Sequence, residues 1–450
     1  MRNSDRLLTR VQKPYADALR LHPFYRGEVA LTAKCPVRDL DDFAIWYTPG
    51  VAVSCQAIAA NPKLVFERTT RANAIAIVSD GSRVLGLGDI GPEAALPVLE
   101  GKALIFKFLG GVDAVPLCLE VSEPQEIVQT VKRIQPAFGG VNLEDIAQPK
   151  CFAILDALRA DPQVQVPVWH DDQQGTATVL LAGLINALRV VGKLMSQARI
   201  AMIGFGAATV ATLRLLRASG CDLGRVVAVD SQGILHRDRK DIEQQQELFT
   251  EKWRACLETN SEGRRGRIPE ALRGMDVCVA FSKPGPGTID PEWVAAMSGD
   301  AVVFACANPV PEIWPWEAKE AGARVVATGR SDFANQLNNS LGFPGIFRGA
   351  LDVRARTITD EMCLAAAHEL ARCAEERGLH EERIVPTMEE WDVFPREAVA
   401  VAMKAQEQGV ARLSASPQDV LASASTTINA ARDQVHALMK LGFIAPIPED

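Results

Sequence analysis

IAMIGFGAAT, residues 200–209, is the stretch that decides the fold. A buried apolar strand runs into Gly204-Phe205-Gly206-Ala207-Ala208, and a helix follows at once. The two glycines permit a tight turn and a close backbone approach, and the helix N-terminus stabilises a pyrophosphate. The third glycine of this fingerprint, which lets helix and strand pack closely, is Thr209 here. VVAVD (226–230) ends in Asp230, about twenty residues on, where a carboxylate accepts from ribose hydroxyls. Asp230 repels a 2′-phosphate, so the cofactor reading leans to NAD. His236, Arg237 and Arg239 just downstream would accommodate that phosphate, which keeps NADP open.

The surrounding chain repeats the same unit. ARIAMIGFG (198–206), GRVVAVD (224–230), MDVCVAFS (275–282), DAVVFACANP (300–309) and ARVVAT (323–328) read as five buried strands with helices between them, the pattern of a doubly wound dinucleotide-binding fold. Upstream, AIAIVS (74–79), DAVPLCLE (113–120), GGVNLED (139–145) and VQVPVWH (164–170) are strand-like, alternating with helical segments such as PVLEGKALIFKFL (97–109). A second parallel sheet follows from this alternation. The long apolar helix 175–192 joins the two. The expected organisation is α/β with two domains, residues 1–172 and a Rossmann-type unit at 173–395, then a C-terminal helical segment and tail at 396–450.

Composition excludes several classes. The chain has 450 residues, 48% hydrophobic and 23% charged, with a net charge of -8. That balance argues against a general nucleic-acid or anionic-membrane surface. Ten cysteines stand singly, with no CxxC or CxxH pair, so neither a zinc site nor a disulfide framework is indicated. They read as small buried hydrophobes in a reducing compartment. No apolar run of about 20 residues is expected to cross a membrane, and the start lacks a signal-peptide core. The expectation is a soluble, cytoplasmic protein.

Two acidic pairs end predicted strands: Glu144 and Asp145 in NLED, Asp171 and Asp172 in VWHDDQQG. In a parallel sheet, both pairs meet beyond the carboxyl ends of the strands. Converging carboxylates without clustered His or Cys point to a hard cation, Mg²⁺ or Mn²⁺. The alternative is helix capping, with Asp172 ahead of the 175–192 helix.

With these residues in view, the chain resembles the malic enzymes, in particular their short bacterial form. The matching segments are 30–52, 78–107, 138–146, 167–177, 303–313 and 327–351, in the family's order. The resemblance implies NAD(P)-dependent, metal-dependent oxidative decarboxylation of malate to pyruvate, with no nucleic-acid partner and a homodimer or larger homo-oligomer. It assigns Lys102, in EGKALIFK, as the base on the C2 hydroxyl and Tyr47, in WYTPG, as the acid that protonates the enol. Glu144, Asp145 and Asp172 become the metal ligands, with Asp171 hydrogen-bonding Lys102. Asn308, Asn338 and Asn339 become amides around substrate and nicotinamide. Arg83 stands where some relatives carry a malate-binding arginine. To act as a base, Lys102 needs a lowered pKa, expected from burial and neighbouring cationic charge. Gln174, Ala334 and Thr209 depart from the family's pattern.

Overall fold

The computed structural model describes residues 3–121 and 123–448; residues 1–2 and 449–450 of the expected terminal segments lie outside them. Its first sheet holds β1 (Ala74–Ser79), β2 (Asp113–Cys118), β3 (Gly140–Leu143) and β4 (Val168–His170), all parallel, in the order β2-β1-β3-β4. Every residue of β1, β3 and β4 is buried. Continuous apolar runs suit a parallel sheet covered on both faces, because neither face meets water.

The second sheet holds β5 (Ile200–Ile203), β6 (Val226–Asp230), β7 (Gly233–Ile234), β8 (Val277–Ala280), β9 (Ala301–Ala305) and β10 (Ala323–Thr328), in the order β10-β9-β8-β5-β6-β7. The five expected strands are parallel; β7 is a two-residue addition that folds back antiparallel on β6. This is a doubly wound α/β arrangement.

The connecting helix runs Asp171–Val190 and begins four residues before the apolar stretch that predicts it. Asp171 and Asp172 occupy its first turn, where the helix dipole favours negative charge, rather than capping it. One apolar core is shared by both sheets. Ile75, Ile77 and Trp169 from the first join Ile200 and Met202 from the second, with Leu181, Leu184 and Phe347 between. The C-terminal helix Pro417–Lys440 packs on Val393–Glu407 and on Pro92–Gly110. Arg432 secures it, 4.3 Å over the Trp391 ring and donating through Nε to the Phe108 carbonyl at 3.1 Å.

The N-terminal region refines one sequence reading, the expected absence of an apolar run of membrane length. A helix spans Asn3–Tyr25, and the stretch Leu40–Ala60 contains an 18-residue run with a mean hydropathy of 1.2, none of it buried within the chain. An apolar run of membrane length therefore exists by composition. It is folded as two helices, Leu40–Trp46 and Val51–Ala60, parted by a turn, so neither helix has the length to cross a bilayer.

Helix Phe343–Asp352 approaches Val393–Glu407 through glycine: a Cβ on Gly349 would lie 2.3 Å from the Ala398 carbonyl oxygen. That atom is backbone and yields only if a helix moves. Gly349→Ala is expected to destabilise the fold by about 1–3 kcal/mol, read as a lower urea midpoint by circular dichroism.

Candidate active site

The carboxyl ends of β3 and β4 bring the two acidic pairs together. One carboxylate oxygen from each of Glu144, Asp145 and Asp172 lies within 4.8 Å of the others. Asn142 Nδ2 donates to Glu144 Oε2 at 2.8 Å, and the Asp145 N–H donates to Asp172 Oδ2 at 2.9 Å. Asp145 itself takes a left-handed backbone conformation, φ 53°, a strain of order 1 kcal/mol that the surrounding structure holds in place. Its Oδ2 is buried and accepts no hydrogen bond among the described residues.

Lys102 enters from the middle of helix Pro92–Gly110 and is 7% exposed. Its Nζ lies 2.5 Å from Glu144 Oε1 and 2.5 Å from Asp171 Oδ2, with the Phe343 ring centroid at 4.7 Å. Asp171 is fully buried, and Trp169 Nε1 donates to its Oδ1 at 3.0 Å. Asp171 thus stands behind Lys102 and fixes where the amine sits.

The electrostatics differ from the sequence expectation. Burial alone pushes the Lys102 ammonium down, but Asp171, Glu144 and Asp172 outweigh it and hold the group above the usual lysine range. The neighbours are anions, not the cations expected. Burial, then the adjoining carboxylates, also raise Glu144 well above its ordinary value and push Asp145 up to about 7. Four carboxyls around one ammonium leave a buried negative surplus, which extra protons or a cation must offset.

These groups open onto a cavity of about 790 Å³. Lys102, Glu144, Asp145 and Asp172 line it from one side; Gly206, Ala207, Ala208, Asn308, Asn338 and Asn339 line it from the other. Arg83 lies on its rim. Gly204 has φ +94°, and a Cβ there would lie 2.3 Å from the Phe281 carbonyl oxygen, whereas one on Gly206 would meet nothing. The turn is closed at Gly204 and open toward the cavity at Gly206, a cradle that fits a pyrophosphate at the helix N-terminus. Thr209 compensates for the missing third glycine: fully buried, it donates through Oγ1 to the Gly204 carbonyl at 2.8 Å. Gln174 Oε1 accepts from the His170 N–H at 3.1 Å and ties β4 to the following helix. Nothing in the structure explains Ala334.

Four expected residues do not line the cavity: Asp171 stands behind Lys102, Gly204 is on the closed side of its turn, and Tyr47 and Asp230 lie further off. Tyr47 is 71% exposed, at the end of helix Leu40–Trp46. Asp230 lies at the end of β6 and lines two further cavities, of about 790 Å³ and about 370 Å³.

The order, spacing and geometry of these groups agree with a known family. Residues 26–159 match the malic enzyme N-terminal domain and residues 173–407 the malic enzyme NAD binding domain. This chain belongs to the malic enzyme family. It is 46% identical to the NAD-dependent malic enzyme of Geobacillus stearothermophilus, over 86% of this chain and 78% of that protein. It is 40% identical to the NADP-dependent malic enzyme of Halomonas elongata, over 86% of this chain and 92% of the relative. The crystal structure of the Entamoeba histolytica malic enzyme superposes with a TM-score of 0.93 at 45% identity, over 96% of this chain and 90% of that one.

Several site residues were not singled out from the sequence. Asp80 is paired with Lys150, and its Oδ1 accepts from Ser82 Oγ at 2.6 Å. Ser82 Oγ in turn accepts from the Ala147 N–H at 2.9 Å, pinning the loop that bears Arg83. His170 is fully buried, its Nδ1 lies 3.8 Å from Asp172 Oδ2, and neither ring nitrogen is hydrogen-bonded among the described residues. Burial lowers its pKa, so the ring is neutral. His170 stood in the quoted WHDDQQG motif, but its inward orientation follows from strand register, which a motif does not display.

The Asp145 shift sets a sign for stability. Between the ordinary carboxyl value near 3.9 and about 7, folded Asp145 keeps a proton that the unfolded chain has released. Stability of the metal-free protein therefore falls as pH rises through that window and levels off above it. Melting curves in EDTA between about pH 5 and about pH 8 are expected to show a falling Tm, and Asp145→Asn to flatten the fall.

Proposed function

We propose that this chain catalyses metal-dependent oxidative decarboxylation of (S)-malate to pyruvate and CO₂, with reduction of NAD(P). One observation carries the reading: an amine, three convergent carboxylates and a glycine turn suited to a dinucleotide all face one cavity. The orphaned Asp145 Oδ2 and the surplus of buried carboxyls fit a divalent cation held by Glu144, Asp145 and Asp172. The all-oxygen donor set suits Mg²⁺ or Mn²⁺.

When bound, the nicotinamide accepts the hydride from C2 and the cation acts as a Lewis acid on the C2 oxygen. The chain's own groups handle the protons. Lys102, oriented by Asp171, takes the proton of the C2 hydroxyl. It does so as a free amine, which becomes accessible once the charge on Glu144 and Asp172 is balanced. Asn308, Asn338 and Asn339 offer amide contacts to the substrate and the nicotinamide, and Arg83 offers a charge to malate. After the C4 carboxylate leaves as CO₂, Tyr47 gives a proton to C3.

The proposed acid bears on assembly. Tyr47 lies amid exposed Phe43, Ile45, Trp46, Val51 and Val53, an apolar face that a second copy of the chain would cover. We place the protein as a homodimer, or a larger assembly of dimers, in which that face is closed and Tyr47 brought to a cavity. Ten free cysteines, seven of them buried, support a reducing compartment, the cytoplasm.

Malate-dependent reduction of NAD or NADP, with pyruvate and CO₂ formed in equal amounts, is expected with Mn²⁺ and not in EDTA. Lys102→Met is expected to lower kcat about a thousandfold; undiminished turnover would remove it as the base. Trp46→Glu, on the exposed face and outside the cavity, is expected to abolish dimer sedimentation and activity together.

A further inference from the structure

In dinucleotide folds, the carboxylate closing the second strand of the glycine-turn unit accepts from the adenosine ribose diol. Here that carboxylate is already spent. Asp230 Oδ1 accepts from the Gln232 N–H at 2.9 Å, the Gly233 N–H at 3.1 Å and Arg239 Nη1 at 3.1 Å. Its Oδ2 accepts from Arg239 Nη2 at 3.2 Å and lies 3.2 Å from Lys252 Nζ. Five donors surround a group with about four lone-pair sites, and the side chain is 6% exposed. Although burial pushes its carboxyl upward, Arg239 and Lys252 hold it below the usual range, so it is ionised and neutralised in place.

What remains facing the groove is positive. A cavity of about 370 Å³ runs from Gly206 past Asp230 and is lined by Arg83, Lys252 and Lys283, three cations against one carboxylate. Ser231 and Lys283 also line an apolar cavity walled by Ile268, Pro269 and Trp293, a slot suited to an adenine ring. The adenosine ribose then lies at the junction of the two cavities, beside Ser231 and Lys283. Lys283 is exposed and has no ion-pair partner among the described residues. His236, Arg237 and Arg239, the downstream cations noted in the sequence, line neither cavity.

We propose that Ser231, Lys252 and Lys283 form a 2′-phosphate site and that this chain selects NADP over NAD. The inference rests on the dinucleotide reading of the Gly204 turn and reverses the lean drawn from Asp230. A phosphomonoester dianion meets two ammonium groups and a hydroxyl there. The free diol of NAD meets a carboxylate with no acceptor left to offer.

The test is fluorescence titration of the intact protein with NADPH and NADH, at low salt and at about 0.5 M salt. NADPH is expected to bind roughly tenfold or more tightly than NADH, with the gap narrowing as salt rises. Lys283→Gln is expected to weaken NADPH about tenfold more than it weakens NADH. Adenosine 2′,5′-bisphosphate is expected to displace NADPH better than 5′-AMP does. NADH binding as tightly as NADPH, or Lys283→Gln weakening both alike, overturns the proposal and leaves the dinucleotide site standing. Binding of neither nucleotide overturns the site and the preference together.

Discussion

Glu144, Asp145, Asp171 and Asp172 are forced into one small volume with Lys102, and much of the molecule is arranged around the resulting repulsion. The crowding follows from topology, because β3 and β4 are adjacent and parallel and end on the same edge of the sheet. The chain answers it with directed hydrogen bonds from Asn142 and Trp169, and with the first turn of helix Asp171–Val190. These contacts orient the carboxylates without cancelling their charge. The proposed function gives that unfilled deficit to a hard dication, which would tie folded stability, protonation and ion occupancy to the same few side chains.

The second constraint is the closeness of the two sheets. Gln148 Nε2 donates to the Phe205 carbonyl at 3.2 Å, linking the loop after β3 to the glycine turn. A Cβ on Gly86 would lie 2.5 Å from the Asn308 carbonyl oxygen and 2.5 Å from Pro284. Helix Phe343–Asp352 closes the same seam by setting the Phe343 ring against Lys102. The carboxylate cluster and the glycine turn are thereby held across a single gap, as the proposed reaction, which joins proton and hydride movement, requires.

Much of this was legible in the sequence. β1 coincides with AIAIVS, and the five strands of the nucleotide unit fall within the segments whose apolar runs announce them. Order alone brought Glu144 and Asp172 together, because strand ends share an edge in a parallel sheet. What escaped was mostly non-local. The sign of the field at Lys102 depends on carboxylates 42 to 70 residues away in the chain. The saturation of Asp230 depends on a short return strand that no periodicity marks. The stretch at 40–60 reads as an apolar run or as two helices depending on a turn at Pro49-Gly50. Tyr47 carried a motif, but a motif states neither which way a face points nor what covers it.

Arg432 reaches the Phe108 carbonyl across 324 positions of chain, and its helix is the late cover on Pro92–Gly110, the helix that bears Lys102. During synthesis, that helix emerges long before its cover exists. Until Pro417–Lys440 has left the ribosome, the helix that bears Lys102 lacks one of its packed faces. Contacts of such long separation also form slowly. Completion of that helix's packing is therefore a late event in biogenesis, and chains lacking Pro417–Lys440 expose its Phe108 side to solvent and to chaperones.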